Sequence, residues 1–223
     1  MSGLFITLEG GEGAGKSTQI RRLAARLEAL GHRVVVTREP GGSPYAERIR
    51  EAILAGEGKP YGPFAEALMF SAARLDHLAQ TIRPALARGD IVLCDRFSDS
   101  TRAYQGALGE IDDGELAALE RVVIGETRPD LTLILDLPAE TGLARANARR
   151  GSPDQKADRF EAENLNFHKR LREAFQALAK ADPQRYRVIA ADRDAEEVEF
   201  AIWQCVKGKF ARELNIAMQA TEK

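Results

Sequence analysis

The residues Gly10-Gly11-Glu12-Gly13-Ala14-Gly15-Lys16-Ser17 match the pattern G-x-x-x-x-G-K-[ST]. In a loop of this kind the glycines let consecutive backbone N–H groups turn inward onto phosphate oxygens. The positive end of a following helix adds to that field. Lys16 can then reach the outer phosphates of a nucleotide and the Ser17 hydroxyl can hold Mg²⁺, with Gly10 to Thr18 forming the nucleotide-binding stretch. The plain alternative is a glycine-rich turn that matches by chance. It is weakened because a strand-like run precedes the loop and a helical pattern follows it. The loop alone does not name a reaction, since switches, ATPases and kinases share it. The N-K-x-D segment with which guanine-nucleotide switches read their base is absent from the sequence.

A kinase also needs a second anionic site. Arg38, in Arg38-Glu39-Pro40-Gly41-Gly42, and Arg96, in Asp95-Arg96-Phe97, each follow a strand-like run. A guanidinium offers paired donors that match phosphate oxygens. The competing reading of either arginine is a surface salt bridge to Glu39 or Asp95. Phe70 and Arg74 lie four residues apart and so share a helical face, turned away from the stripe Leu68, Leu75 and Ile82. A ring beside a guanidinium suits a planar base, one stacking and the other bonding an exocyclic oxygen. Simple packing of Phe70 in a helix buried on both faces is an equal alternative.

The elements that must position these groups are strands and helices in alternation. Leu4–Leu8, Val34–Val36, Ile91–Cys94, Leu131–Leu135 and Arg187–Ile189 are continuous apolar runs, the pattern of strands covered on both faces. Ile20, Leu23, Leu27 and Leu30 mark a helix that stops at Gly31. A helix over about 63–88 carries Phe64, Leu68, Leu75, Ile82 and Leu86 as its expected core stripe. Another over about 160–180 carries Phe160, Phe167, Leu171, Phe175 and Leu178. The pattern predicts an α/β fold, a three-layer αβα arrangement with a five-stranded parallel sheet. Ligands of such sheets bind at the carboxyl ends of the strands, where the loop and both arginines fall.

Composition narrows the partners. The 223 residues are enough for one compact domain with a sizeable core, read here as spanning 1–223. A net charge of −2 gives no global attraction to nucleic acid or to an acidic membrane. Cys94 and Cys205 are too few for a disulfide framework and read as reduced thiols. The first apolar run is too short for a signal peptide or a membrane span, so a cytoplasmic location is expected. His32, His77 and His168 lack metal-ligand spacing and read as surface or capping residues. Trp203 reads as core. Phe210, Leu214 and Met218 fall four apart and suggest a further helix or a partner contact, without an assigned function.

Four segments in order resemble thymidylate kinase of the bacterial type: Leu8 to Thr18, Arg38 to Gly42, Phe70-Ser71-Ala72-Ala73-Arg74, and Asp95-Arg96-Phe97 through Tyr104-Gln105-Gly106. The likeness runs from about residue 3 to about residue 205. It implies a P-loop kinase fold and transfer of the γ-phosphoryl group of ATP to dTMP, giving dTDP and ADP, in a Mg²⁺-dependent homodimer. It also implies roles. Arg38 and Arg96 hold the dTMP phosphate, Phe70 stacks on thymine, and Arg74 bonds its carbonyl oxygen. Glu12 sits near the sugar 3′-hydroxyl, Tyr104 crowds the 2′ position, Ser100 and Gln105 lie against the base, and Asp95 lies close to the magnesium and phosphates. Another nucleoside-monophosphate kinase is the nearest alternative, opposed by the Phe70/Arg74 pair and by Tyr104-Gln105-Gly106. A nucleotide-gated binding protein is the more distant one, and it leaves Arg38 and Arg96 without a task.

The segment at about 145–159 resembles that family's lid. Arg145, Arg149 and Arg150 precede the break Gly151 to Ala157, and Asp158-Arg159-Phe160-Glu161 follows. A solvated charged loop is the ordinary alternative. Some relatives carry a basic residue in the loop where this chain has Gly13, and the bacterial type resembled here supplies the cation from the lid. Arg149 fits the matching position best and is the expected partner of the transferred group. Lys16, Arg96, Arg149 and Glu12 form the expected catalytic set.

Overall fold

The computed structural model describes residues 3–109, 111–149 and 159–214. Five strands, β1 (Leu4–Glu9), β2 (Val34–Arg38), β3 (Ile91–Asp95), β4 (Leu131–Asp136) and β5 (Tyr186–Ala190), form one sheet in the order β2-β3-β1-β4-β5. Every neighbouring pair is parallel. Each expected strand is present, a residue or two longer than its apolar run because the pairing continues onto Glu9, Arg38, Asp95 and Asp136.

Alternation along β1 sends Ile6 and Leu8 to one face and Phe5 to the other. The first face packs on Ile20, Leu23 and Leu27 of α1 (Lys16–Ala29). Ile202, Trp203 and Val206 of α9 (Ala195–Phe210) complete that layer, so Trp203 is core as expected. On the second face Phe5, Val92 and Cys94 meet Leu78, Ile82, Val123 and Ile124. Beside them Ile134 packs on Leu171 and Phe175 of α8 (Leu165–Ala181). The three-layer arrangement therefore stands. Phe210 and Leu214 are buried in the first layer, and the His32 ring lies 3.3 Å from the Leu214 carbonyl oxygen. The tail thus packs on its own chain as far as Leu214, while Met218 lies outside the described residues.

The remaining helices are α2 (Pro44–Ala55), α3 (Gly62–His77), α4 (Arg83–Ala87), α5 (Ser98–Thr101), α6 (Asp113–Ile124) and α7 (Ala139–Arg149). Three expectations are corrected here. The helix expected over 63–88 is α3 and α4 joined by a π-helical turn at Leu78–Ile82. Its supposed core stripe faces outward: Phe64, Leu68 and Leu75 are 43%, 47% and 46% exposed, whereas Ile82 is buried. The wide π turn shifts the helical phase, so Ile82 no longer shares the face of Phe64, Leu68 and Leu75. The inward face of α3 instead carries Ala67, Ser71, Arg74 and His77, a polar set with no hydrophobic signature.

The helix expected from residue 160 starts at Leu165, because the Asn164 side chain accepts the Phe167 N–H at 3.0 Å and caps it there. Phe160 precedes it in a turn. Finally, His77 and His168 are buried rather than at the surface. Residues 102–107 after α5 form a second π-helical stretch.

Candidate active site

The phosphate loop bridges β1 and α1. Lys16 folds back so that its Nζ donates to the carbonyls of Gly10 at 3.1 Å and Gly11 at 2.9 Å. Burial, and then the Arg96 guanidinium, pull the Lys16 ammonium below its ordinary range. Gly13 has φ +66°, and a Cβ there would stand 2.1 Å from the carbonyl oxygen of Gly142 on α7. A side chain here would be strained and would require the Gly142 backbone to move. Ser17 Oγ donates to Asp95 Oδ2 at 2.7 Å, joining the loop to the end of β3.

Arg96 follows β3 in a left-handed conformation, φ +67°, that a side-chain-bearing residue adopts only when its surroundings enforce it. Its own N–H donates to the Leu8 carbonyl at 2.9 Å. Its guanidinium donates to Gly10 O at 3.1 Å, Ser100 Oγ at 3.3 Å and Glu12 Oε1 at 2.6 Å. The Tyr104 hydroxyl donates to the same Glu12 oxygen at 3.0 Å. Burial pushes the Glu12 carboxyl up, but Arg96, Lys16 and the Tyr104 bond outweigh it and hold it at about 2.

Glu9 holds the turn from beneath. Its two oxygens accept the Phe97 N–H at 2.8 Å and the Ser100 hydroxyl at 2.7 Å. Burial foremost, then the Asp99 carboxylate, push Glu9 up to about 7, with Arg96 opposing them.

Arg38 leaves the edge strand β2 and donates through Nη2 to both oxygens of Glu47, at 3.0 and 2.9 Å. Its partner is thus Glu47, and that of Arg96 is Glu12, rather than the Glu39 and Asp95 suggested by adjacency. Glu39 turns inward instead and accepts Arg74 Nε at 2.7 Å, while Arg74 Nη2 donates to Thr101 Oγ1 at 3.1 Å. Phe70 stands one turn away on the same face of α3, and Gln105 is buried close by.

On the remaining side, Arg149 Nη2 donates to Glu161 Oε1 at 3.1 Å. Arg145 is tied elsewhere, to the Ala191 carbonyl at 2.9 Å, and Arg150 lies outside the described residues. Arg159 pairs with Glu66 of α3. The Phe160 ring sits 5.3 Å from that of Tyr104 and 6.3 Å from that of Phe70.

These groups surround one cavity of about 300 Å³. Its walls include Glu12 to Thr18, Arg38, Phe70, Arg74, Asp95, Arg96, Ser100, Tyr104, Gln105 and Arg149, nearly every residue singled out in the sequence. Gly10 and Gly11 do not line it, and border a smaller cavity beside His168 and Arg172. Sequence reasoning missed Glu39, Thr101 and Phe160 on the walls, and Glu9 beneath them. A carboxylate ending an apolar strand was a visible signal for Glu9. The others had none, because their partners are set by tertiary packing.

The comparisons with known proteins agree with this geometry. The family model for thymidylate kinase matches residues 8–202. A thymidylate kinase of Nitrobacter winogradskyi is 59% identical over 201 residues, covering 90% of this chain and 86% of that protein. One from Rhodopseudomonas palustris is 59% identical over 208 residues, covering 93% and 90%. A crystal structure of thymidylate kinase from Ehrlichia chaffeensis superposes with a TM-score of 0.73 at 31% identity, covering 92% of this chain and all of that one. With the loop, the strand-end arginines and the aromatic wall meeting in one crevice, the chain belongs to the thymidylate kinase family.

Proposed function

We propose a division of labour among these residues for the reaction that membership of the family gives the chain, transfer of the γ-phosphoryl group of ATP to dTMP. The observation that carries it is the convergence of Lys16, Arg38, Arg96 and Arg149 with Phe70 and Arg74 on a single cavity. The loop from Gly10 to Thr18 binds the ATP phosphates. Arg38 and Arg96 take the phosphate of dTMP, exchanging Glu47 and Glu12 for it. Phe70 stacks on thymine, Arg74 donates to its carbonyl, and Ser100 and Gln105 bound the base. Glu12, ionised at neutral pH, accepts the 3′-hydroxyl, and Tyr104 closes the 2′ position to a ribose oxygen.

The acceptor oxygen of dTMP is already anionic, so no strong base is required. Rate comes from in-line positioning and from cations placed where charge spreads in the transition state, here Lys16, Arg96 and Arg149. Ser17 and Asp95 offer hard oxygen donors 2.7 Å apart beside the loop, a set that suits Mg²⁺ held jointly with nucleotide phosphates. When bound, the ion would neutralise phosphate charge. The chain acts as one kinase domain over 1–223 with a lid at about 145–159, of which 150–158 lie outside the described residues. Lid closure excludes water from the reacting phosphates.

Phe64, Leu68 and Leu75 leave an apolar face of α3 exposed, and Val122 is exposed on α6, which packs against α3. A second copy of the chain is the proposed occupant of that face. No helix among the described residues is long and apolar enough to cross a membrane. Free Cys94 and Cys205, with ATP and dTMP as reactants, suit a cytoplasmic setting.

The reading is tested by ADP production against dTMP, dUMP, ribo-TMP, CMP, AMP and GMP. Fast turnover with dTMP is expected, and a preference for another monophosphate would remove the roles given to Phe70, Arg74 and Tyr104. Arg149→Ala should lower kcat by about 100-fold or more with a small change in KM for either substrate. Wild-type turnover would remove Arg149 from the transition state. Sedimentation should give a dimer for the wild type and a monomer for Leu68→Glu. A wild type that stays monomeric at every concentration overturns that assignment.

Glu9 ties stability to pH. The unfolded carboxyl ionises near 4.5 and the folded one near 7, so between them only the native state keeps the proton. Wild-type stability should fall relative to Glu9→Gln by about 3 kcal/mol as pH rises from 4.5 to above 7, read by urea unfolding. A parallel pair of stability curves would show that Glu9 ionises normally.

A further inference from the structure

Behind Arg74 lies a buried chain of side chains with no part in the reaction as described so far. Arg74 donates through Nε to Glu39 Oε2 at 2.7 Å, and the other carboxylate oxygen, Oε1, lies 3.1 Å from His77 Nδ1. His77 Nε2 in turn lies 2.6 Å from Thr37 Oγ1 on β2. His77 is fully buried and Glu39 and Arg74 nearly so. Because a carboxylate only accepts, the ring hydrogen facing Glu39 is on Nδ1. The ring is also clamped from above, where a Cβ added to Gly42 would stand 2.4 Å from both His77 Nε2 and Thr37 Oγ1.

The consequence concerns how Glu39 grips Arg74. A free carboxylate beside an arginine tends to pair through both oxygens in a fork. Here one oxygen is occupied by His77, so Glu39 engages Arg74 through a single N–H. Thr101 takes Nη2 at 3.1 Å, and the guanidinium carbon lies 5.2 Å from the centre of the Phe97 ring. The plane is fixed from three directions, and the residue still lines the cavity. A guanidinium has donors and no acceptor. Held in this plane it can bond a carbonyl on the base edge but not an exocyclic amino group. A buried donor left unpaired by the wrong base makes the discrimination large.

We propose that Thr37, His77 and Glu39 are positioning residues which, by limiting Glu39 to a one-oxygen grip on Arg74, set the preference of the acceptor site for 4-keto over 4-amino pyrimidine nucleotides. This rests on the assignment of Arg74 to the base.

The test is steady-state kinetics with dTMP, dCMP and ATP for the wild type, His77→Gln, His77→Asn, Thr37→Val and Arg74→Ala. An asparagine amide nitrogen stands where Nδ1 does, whereas glutamine reaches the Nε2 position. His77→Gln should raise KM for dTMP about tenfold, leave kcat within about threefold and KM for ATP unchanged, and narrow the dTMP to dCMP preference. His77→Asn should restore both the KM and the preference. Thr37→Val, nearly isosteric, should give a smaller rise of about threefold in KM for dTMP and remains informative if the histidine variants fail to fold.

The proposal is overturned if His77→Gln and His77→Asn behave alike, if the loss falls equally on ATP and dTMP, or if Thr37→Val matches the wild type. Arg74→Ala reports separately on the reading beneath it. An unchanged dTMP to dCMP ratio in that variant would show that Arg74 does not read the base at all.

Discussion

The carboxylate of Glu9 ends the central strand, and its two hydrogen bonds hold a turn that the backbone would not otherwise adopt. With Phe97 N–H on one oxygen and Ser100 on the other, Arg96 is forced into the left-handed region and its guanidinium swings over the phosphate loop. From that turn the chain runs into Tyr104 and Gln105, so the same two bonds set where these two residues meet the cavity as well. The loop supplies the other half of the contact through Glu12. Losing the Glu9 grip would cost more than one interaction, because the loop, the third strand end and the π-helical stretch are all referenced to it.

The two carboxylates on either side of Gly10-Gly11 illustrate how one short segment makes opposite environments. Glu9 faces the packed second layer, where burial pushes its carboxyl up to about 7. Glu12 faces the crevice, where Arg96 and Lys16 keep it ionised. Three residues of separation, spanning the turn out of the strand, are enough to place one beneath the floor of the site and the other on it.

Much of this was legible in the residues. Continuous apolar runs gave five strands because a sheet covered on both faces requires them, and the glycine-lysine-serine spacing reflects a local backbone geometry that depends on little else. The arginines at strand ends were legible for the same reason. What was not legible depended on long-range partners. Glu39 sits beside Arg38 in sequence but bonds Arg74, and Arg38 goes instead to Glu47 of α2. The α3 stripe misled because hydrophobic period reports which residues share a face, not what covers that face. Phe64, Leu68 and Leu75 do share one, and it is turned away from the core of their own chain. The polar inner face, with Ser71, Arg74 and His77, carries no such signature because it is organised by hydrogen bonds.

Both arginines proposed to take the acceptor phosphate are paired with carboxylates, Arg96 with Glu12 and Arg38 with Glu47. On that assignment the chain carries its own competitor for the acceptor, in the form of two tethered monoanions. A ligand that takes these arginines displaces a tethered carboxylate, and a monocarboxylate offers no more charge than the group it replaces. A phosphate monoester, with a second negative charge and three terminal oxygens, offers more. On the proposed assignment the largely buried Arg96–Glu12 pair is the stronger competitor for an anion, and the half-exposed Arg38–Glu47 pair the weaker.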